Sequence, residues 1–143
     1  MGQVVRIVEL EEFLIWLAVE RGRVPSTIAA YRRDIVAFLD WLESVGGRFL
    51  SAEQRDITAY VAHLKDSDLA PASVARATVA VRSFFRFLAA EELIQIDPGA
   101  SVEVPTVPRG LPKALTLQQV ESLLASPVGD DPAAYRDRAI LEV

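Results

Sequence analysis

Apolar residues recur at helical spacing in four successive stretches of this chain. From Val5 to Arg21, Ile7, Leu10, Leu14 and Leu17 fall in register with Phe13 and Trp16 beside them. That spacing predicts an amphipathic helix stopped at Gly22. Ser26 is expected to cap a second helix ending at Gly46-Gly47, in which Ile28, Tyr31, Ile35, Phe38, Leu39 and Leu42 share an arc of about 100°. Arg33 lies opposite that arc and Arg32 on its flank. Ser51 is expected to open a third helix through the capping box Ser-Ala-Glu-Gln, with Ile57, Tyr60, Val61 and Leu64 as its buried row. A fourth helix starts at Pro71 and Ser73 and runs into Glu91 or Glu92. Its Val74, Ala77, Val81, Phe84, Phe85 and Leu88 form a core-facing stripe. No stretch alternates apolar and polar residues between turn signals, so no strand is expected. The pattern predicts an all-α fold: a four-helix bundle of nearly antiparallel pairs.

The fourth helix has a second face. Arg76, Val79, Arg82, Ser83 and Arg86 occupy a separate arc of about 120°, almost without acids. Such a face is either a solvated surface or a row of planar, forked donors laid against phosphate. At Thr27 and Ser26 a hydroxyl at a helix start either caps the helix or also donates to a phosphate. Tyr31, on the apolar arc, is expected to pack in the core. His63 is expected on a helix surface.

Beyond the fourth helix the character changes. Asp97 to Pro112, DPGASVEVPTVPRGLP, holds four prolines and two glycines, which predicts an extended connection between domains. Lys113 follows it, either solvated or within reach of a backbone phosphate. Thr116-Leu117-Gln118-Gln119 then starts a short helix with Val120, Leu123 and Leu124 apolar. Another helix begins near Asp130, and its final Ile140, Leu141 and Val143 lack a partner to bury them. The chain is therefore expected to be cut inside a second domain. The resulting division is residues 1–94, a connection over 95–114, and 115–143.

Composition narrows the chemistry. The sequence has no cysteine and one histidine, so thiolate metal sites and histidine acid–base work lose their raw material, and neither metal nor cofactor is expected. There is no long uninterrupted apolar run and no basic leader ahead of one, so no membrane contact is expected and a cytoplasmic location is. The net charge of −5 argues against indiscriminate nucleic-acid binding. Its distribution qualifies that, because Arg21 to Arg86 holds ten Arg or Lys against seven Asp or Glu. A basic middle between acidic ends suits DNA on one face only.

Several motifs, in order, resemble the Xer-type tyrosine recombinases, the site-specific recombinase and integrase family. Ser26-Thr27, Tyr31, Asp34-Ile35 and Phe38-Leu39 are similar to its S-x-T-x-x-x-Y-x-x-D-L-x-x-F run, although Ser and Thr are adjacent here. Ser73-Val74-Ala75-Arg76 through Val81-Arg82-Ser83-Phe84-Phe85 and Phe87-Leu88 are similar to S-I-A-R-x-L-S-A-L-R-x-F-Y-x-F-L. Asp97-Pro98 stands where the family often has Asn-Pro. Val104-Pro105, Leu111-Pro112-Lys113, Leu115-Thr116 and Arg136-Asp137-Arg138-Ala139-Ile140-Leu141 follow in the family's order. The resemblance covers the whole chain but only the amino-terminal part of the family's length.

It implies a SAM-like helical core-binding domain, then a truncated start of the catalytic domain, the two clamping double-stranded DNA from opposite sides. The second and fourth helices approach the major groove in that family. The contact residues so implied are Arg76, Arg82, Arg86, Arg32, Arg33, Thr27, Ser83 and Lys113. The family cleaves DNA with a Tyr nucleophile assisted by two Arg, a Lys and His or Trp, cations that offset the charge building on the phosphate. No residue here matches those positions, so no catalytic residue is assigned and no recombinase activity is expected of the chain. Binding is expected to be weak and salt-sensitive, with about three to five phosphate contacts. The alternative is a helical protein-interaction domain that contacts other recombinase protomers, which act as tetramers in the family. It would do so through the first helix and the apolar end near Ile140. An independent enzyme has no convergent acid–base pair, phosphate loop or metal cluster behind it.

Overall fold

The computed structural model describes residues 2–107 and 114–142. Among them are six α-helices and no strand: α1 (Gly2–Val19), α2 (Pro25–Ser44), α3 (Gln54–Lys65), α4 (Pro71–Ala90), α5 (Leu117–Leu124) and α6 (Pro132–Glu142). The chain divides into two compact units, Met1–Val107 and Pro108–Val143. The first holds α1 to α4 around one core, and the second holds α5 and α6.

The caps of α2, α3 and α4 differ from expectation and α1 begins at Gly2 rather than Val5, whereas Pro71 opens α4 as the sequence predicts. Pro25 and Pro71 occupy the first helical position, where a fixed φ and a missing N–H cost nothing. That moves the caps back to the extended residues Val24 and Ala70, and Ser26 and Ser73 sit inside the first turn, too late to cap. Ser51 closes a 3-10 turn, Phe49–Ser51, and its hydroxyl donates to the Arg48 carbonyl at 3.3 Å. Glu53 is the cap of α3, its N–H donating to Asp56 Oδ2 at 2.8 Å. In the second unit, Thr116 caps α5 as the sequence predicts, through a reciprocal pair with Gln119.

Helix α4 is central. It packs against α1, α2 and α3, and every residue of the predicted stripe is buried. Ala80, Phe87 and Thr78 are buried as well, which widens the buried arc to about 180° at 100° per residue. The Thr78 hydroxyl is satisfied inside its own helix, donating to the Val74 carbonyl at 2.8 Å. Edge-on and tilted aromatic pairs carry the contacts outward. Phe84 meets Phe13 of α1 with ring centroids 5.5 Å apart, and Phe87 meets Phe13 and Trp16 at the same spacing. Phe85 meets Phe38 of α2 at 5.7 Å, and Phe38 meets Tyr60 of α3 at 5.1 Å. These are the distances at which such pairs add to plain area burial. On α1 the buried row is Leu10, Phe13, Leu14 and Leu17. Ile7, expected in that row, is 58% exposed.

Gly22 after α1, Gly46 after α2 and Glu92 after α4 are left-handed, and the last two share one motif. In α2, Gly46 takes φ 80°, and the N–H groups of Gly46 and Gly47 return to the Glu43 and Leu42 carbonyls. In α4, Glu92 takes φ 59°, and the N–H groups of Glu92 and Leu93 return to Ala89 and Leu88. The same carbonyl-capping motif is therefore built once with glycine and once with a side chain the conformation disfavours. Past it, Asp97 to Val102 do not form the expected extended connection. Asp97 Oδ1 accepts the Gly99 N–H at 2.8 Å, and Pro98, Gly99 and Val102 are buried against the first unit. Pro98-Gly99 makes a turn here, and the Val102 side chain joins the core.

Glu92→Gly is expected to raise stability by about 1 kcal/mol by relieving the left-handed strain, and Gly46→Ala to lower it by a similar amount. Thermal unfolding of the two variants checks both signs. A second expectation concerns Tyr60, 2% exposed. Burial, with the nearby Asp34 carboxylate as the smaller cause, pushes its phenol up to about 12. Folding thus favours the neutral phenol, and this contribution is complete below the ordinary value of 10 and is lost as pH rises through about 12. A phenolate absorbance titration, taken as the difference from Tyr60→Phe, should have its midpoint near 12. A midpoint at the ordinary phenol value would place the ring in water.

Candidate nucleic-acid interface

The arginine face of α4 does not stand open along its whole width. Arg76 and Arg82 lie at its opposite edges, and each is turned toward a neighbouring element. Arg76 donates from Nε and Nη2 to the two carboxylate oxygens of Asp34 on α2, at 2.8 and 3.1 Å. The Asp34 side chain is only 11% exposed and that of Arg76 45%, so a shielded carboxylate holds one edge of the guanidinium while the other edge faces water. That hydrogen bond raises the Arg76 pKa further. Arg82, half-buried, donates from Nε to the Gly99 carbonyl at 2.9 Å and from Nη2 to the Ala100 carbonyl at a longer 3.4 Å. The centre of the face holds Val79, Ser83 and Arg86. Arg86 is exposed and, among the described residues, makes no ion pair or hydrogen bond; Ser83 is half-buried.

On α2 the two adjacent arginines diverge. Arg32 forms a forked pair with Glu11 of α1, Nη2 donating to Oε2 at 2.7 Å and Nη1 to Oε1. The pairing lowers the Glu11 pKa and raises that of Arg32, in each case through this hydrogen bond. Arg33 points away from the core, exposed and without an ion pair among the described residues. Thr27 is half-buried in the first turn, and its N–H donates to the Val24 carbonyl at 3.0 Å. Lys113 lies outside the described residues. Neither α2 nor α4 has a side-chain cap, so both leave first-turn N–H groups free of side-chain acceptors.

The eight candidate residues are thus not one cluster. Arg76, Arg82 and Arg32 each join a helix to another segment, and Arg33 and Arg86 are the uncommitted cations. Sequence reasoning missed the acceptors: Asp34, Glu11 and the carbonyls of Gly99 and Ala100. Asp34 had a signal, since it stands at the edge of the α2 apolar arc where a neighbouring helix begins. The carbonyl acceptors had none, because any residue supplies one.

Other chemistry is sparse. Tyr31 is half-buried against the core and Tyr60 buried in it, while Tyr135 is exposed with the Arg138 guanidinium 5.5 Å from its ring centre. His63 is exposed and stacks on Trp41 with ring centroids 5.9 Å apart. Among the described residues, no group of three or more His, Cys, Asp or Glu is placed to hold a metal, and no helix is long and apolar enough to cross a membrane.

Residues 10–92, more than half of the chain, match the family described as phage integrase, N-terminal SAM-like domain. A tyrosine recombinase XerD of Halalkalibacterium halodurans is 41% identical over 138 residues, which cover 94% of this chain and 46% of that protein. A XerD of Proteus mirabilis is 41% identical over 136 residues, covering 43% of its length. A tyrosine recombinase XerC of Herpetosiphon aurantiacus is 39% identical over 137 residues, covering 45%. The chain therefore spans less than half the length of these curated relatives.

The two carboxylate-held arginines should differ in strength. A double-mutant cycle on Asp34 and Arg76, read by chemical denaturation, is expected to give a coupling of about 1 kcal/mol or more, because Asp34 is shielded. The same cycle on Glu11 and Arg32, both exposed, should give about 0.5 kcal/mol or less.

Proposed function

We infer that this chain, which belongs to the Xer-type tyrosine recombinase family, grips double-stranded DNA with α2 and α4 while strand exchange belongs to other parts of the family's length. The observation that carries this reading is the exposed, unpaired guanidinium of Arg86 in the middle of the α4 arginine face, on a helix otherwise given to the core. Arg33 on α2 is the second loose cation. Arg76 adds the outward edge of its guanidinium, already oriented by Asp34. At the uncapped starts of α2 and α4 the N–H groups of Ser26 and Ala72 are left for phosphate oxygens, since Pro25 and Pro71 have none and those of Thr27 and Ser73 donate to backbone carbonyls, and the Thr27 side chain lies beside the first. Arg32 and Ser83 are secondary contacts at the margins, and Lys113 extends the set beyond the first unit. Arg82, held by two carbonyls, contributes charge more than contact.

DNA cleavage is assigned elsewhere on chemical grounds. A tyrosine nucleophile must be exposed and must lose its proton readily beside cations that receive the phosphate. Tyr60 is buried with its phenol pushed up to about 12, and Tyr31 packs on the core. Tyr135 is exposed, with the Arg138 guanidinium over its ring rather than at its hydroxyl. On this reading the chain is a binding part.

A second reading has an observation of its own. Val8, Ile15 and Val19 are 48%, 60% and 77% exposed on the side of α1 opposite its buried row. A helix apolar on both sides fits contact with other recombinase protomers, so this face is a protein-interaction surface in the alternative.

The deciding measurement is duplex binding across a salt series. Removing one phosphate-binding side chain should make the slope of log K against log salt shallower by about 0.9. Arg33→Ala and Arg86→Ala are each expected to change it by about that amount, and Arg82→Ala by less than about half of it. Undetectable binding at low salt, together with concentration-dependent self-association that Ile15→Asp abolishes, would replace the first reading with the second.

A further inference from the structure

Arg82 has the sequence position of a DNA contact but the geometry of a clasp. Its guanidinium donates to two successive carbonyls, Gly99 at 2.9 Å and Ala100 at 3.4 Å. The approach is close at the backbone as well. A Cβ placed on Gly99 would stand 3.1 Å from the Arg82 Cα and 3.2 Å from Asp97 Oδ1. Glycine is what lets this turn lie directly on α4. The turn is also closed on itself: Asp97 Oδ1 accepts the Gly99 N–H, the Asp97 carbonyl accepts that of Ala100, and the Gly99 carbonyl accepts that of Val102. Beyond it, Val102 is 5% exposed and anchored in the core. Two buried anchors and a forked side chain therefore hold a segment that its composition marks as connection.

We propose that Arg82 is a positioning residue: by clasping Asp97–Val102 onto α4 it fixes the path of the chain beyond that helix, and so limits how far the second unit can range. Six residues of extended chain span about 20 Å. With the clasp closed, that length is removed from the chain available between α4 and the Thr116 cap of α5. The clasp does not depend on the DNA-gripping reading.

Two variants test it in the full 143-residue chain. Arg82→Ala removes the fork, and Gly99→Ala lifts the turn by a few tenths of an ångström without touching a charge, which keeps a usable variant if the first does not fold. In hydrogen exchange, the amides of Gly99, Ala100 and Val102 are expected to exchange about tenfold faster or more, while those of α1 to α4 are unchanged. The sequence has no cysteine, so spin labels at Lys65→Cys and Gln118→Cys report the separation of the units directly. The long-distance edge of their distribution is expected to move outward, by up to about 20 Å. Unchanged exchange in the folded variants overturns the clasp. Faster exchange with an unchanged distance distribution overturns the positioning role. Neither readout involves DNA, so a failed DNA-binding experiment is distinguishable from a failed clasp.

Discussion

Helix α4 gives half its circumference to the core, and the rest of the first unit follows from that. Phe84 and Phe87 meet Phe13 of α1, and Phe85 meets Phe38 of α2, whose ring in turn meets Tyr60 of α3, so the other three helices are arranged around the aromatic rings of α4. Burial of large aromatic side chains is the largest favourable contribution available to a chain of this size, and truncating one typically costs about 3–5 kcal/mol. Only the remaining half of α4 is free for polar chemistry. The polar half then divides again: its edges are close enough to neighbouring segments to bond them, and only its centre faces outward unobstructed.

Arginine is suited to those edges. Its planar fork satisfies two acceptors at once with little further loss of freedom, and three guanidinium groups do this in sequence. Arg32 ties α2 to α1, Arg76 ties α4 to α2, and Arg82 ties the Asp97–Val102 turn to α4. The same residue type that makes a surface attractive to phosphate thus also fastens the elements that carry the surface. A reader of side-chain identity alone assigns all of them to the ligand.

This explains what was legible in the sequence and what was not. Helical periodicity located all four core helices and the buried row of α3, and the α4 stripe was right as far as it went, because core burial leaves a regular apolar signature. Ala80 and Phe87 escaped it because α4 is covered on three sides, and a stripe-based reading assumes one. The caps assigned to Ser26, Ser51 and Ser73 were misplaced where a proline or an acid, one to two residues away, fixed the terminal turn instead, although Pro71 was read correctly as part of its helix start. The stretch after Asp97 looked like an open connection because proline and glycine are common in both linkers and tight turns. Only the long-range contacts of Arg82 and Val102 distinguish the two, and long-range contacts leave no periodic trace. For the same reason Arg33 and Arg86 were indistinguishable from Arg32, Arg76 and Arg82: commitment is a property of acceptors elsewhere in the chain.

The nature of those acceptors has an electrostatic consequence. Glu11 and Asp34 cancel the charge of the arginines they hold, whereas the Gly99 and Ala100 carbonyls that hold Arg82 carry no net charge. Arg82 is held in place without an ion pair among the described residues, with the Asp97 carboxylate in the turn it clasps. Its field is therefore stationary, sustained without a flexible side chain that must be ordered when an anion arrives, and it reaches about a Debye length, roughly 8 Å at physiological ionic strength. On the proposed DNA-gripping reading, a fixed guanidinium beside the loose one of Arg86 adds to the attraction for a polyanion before any contact is made. The residue that fastens the chain also gives the surface its polarity.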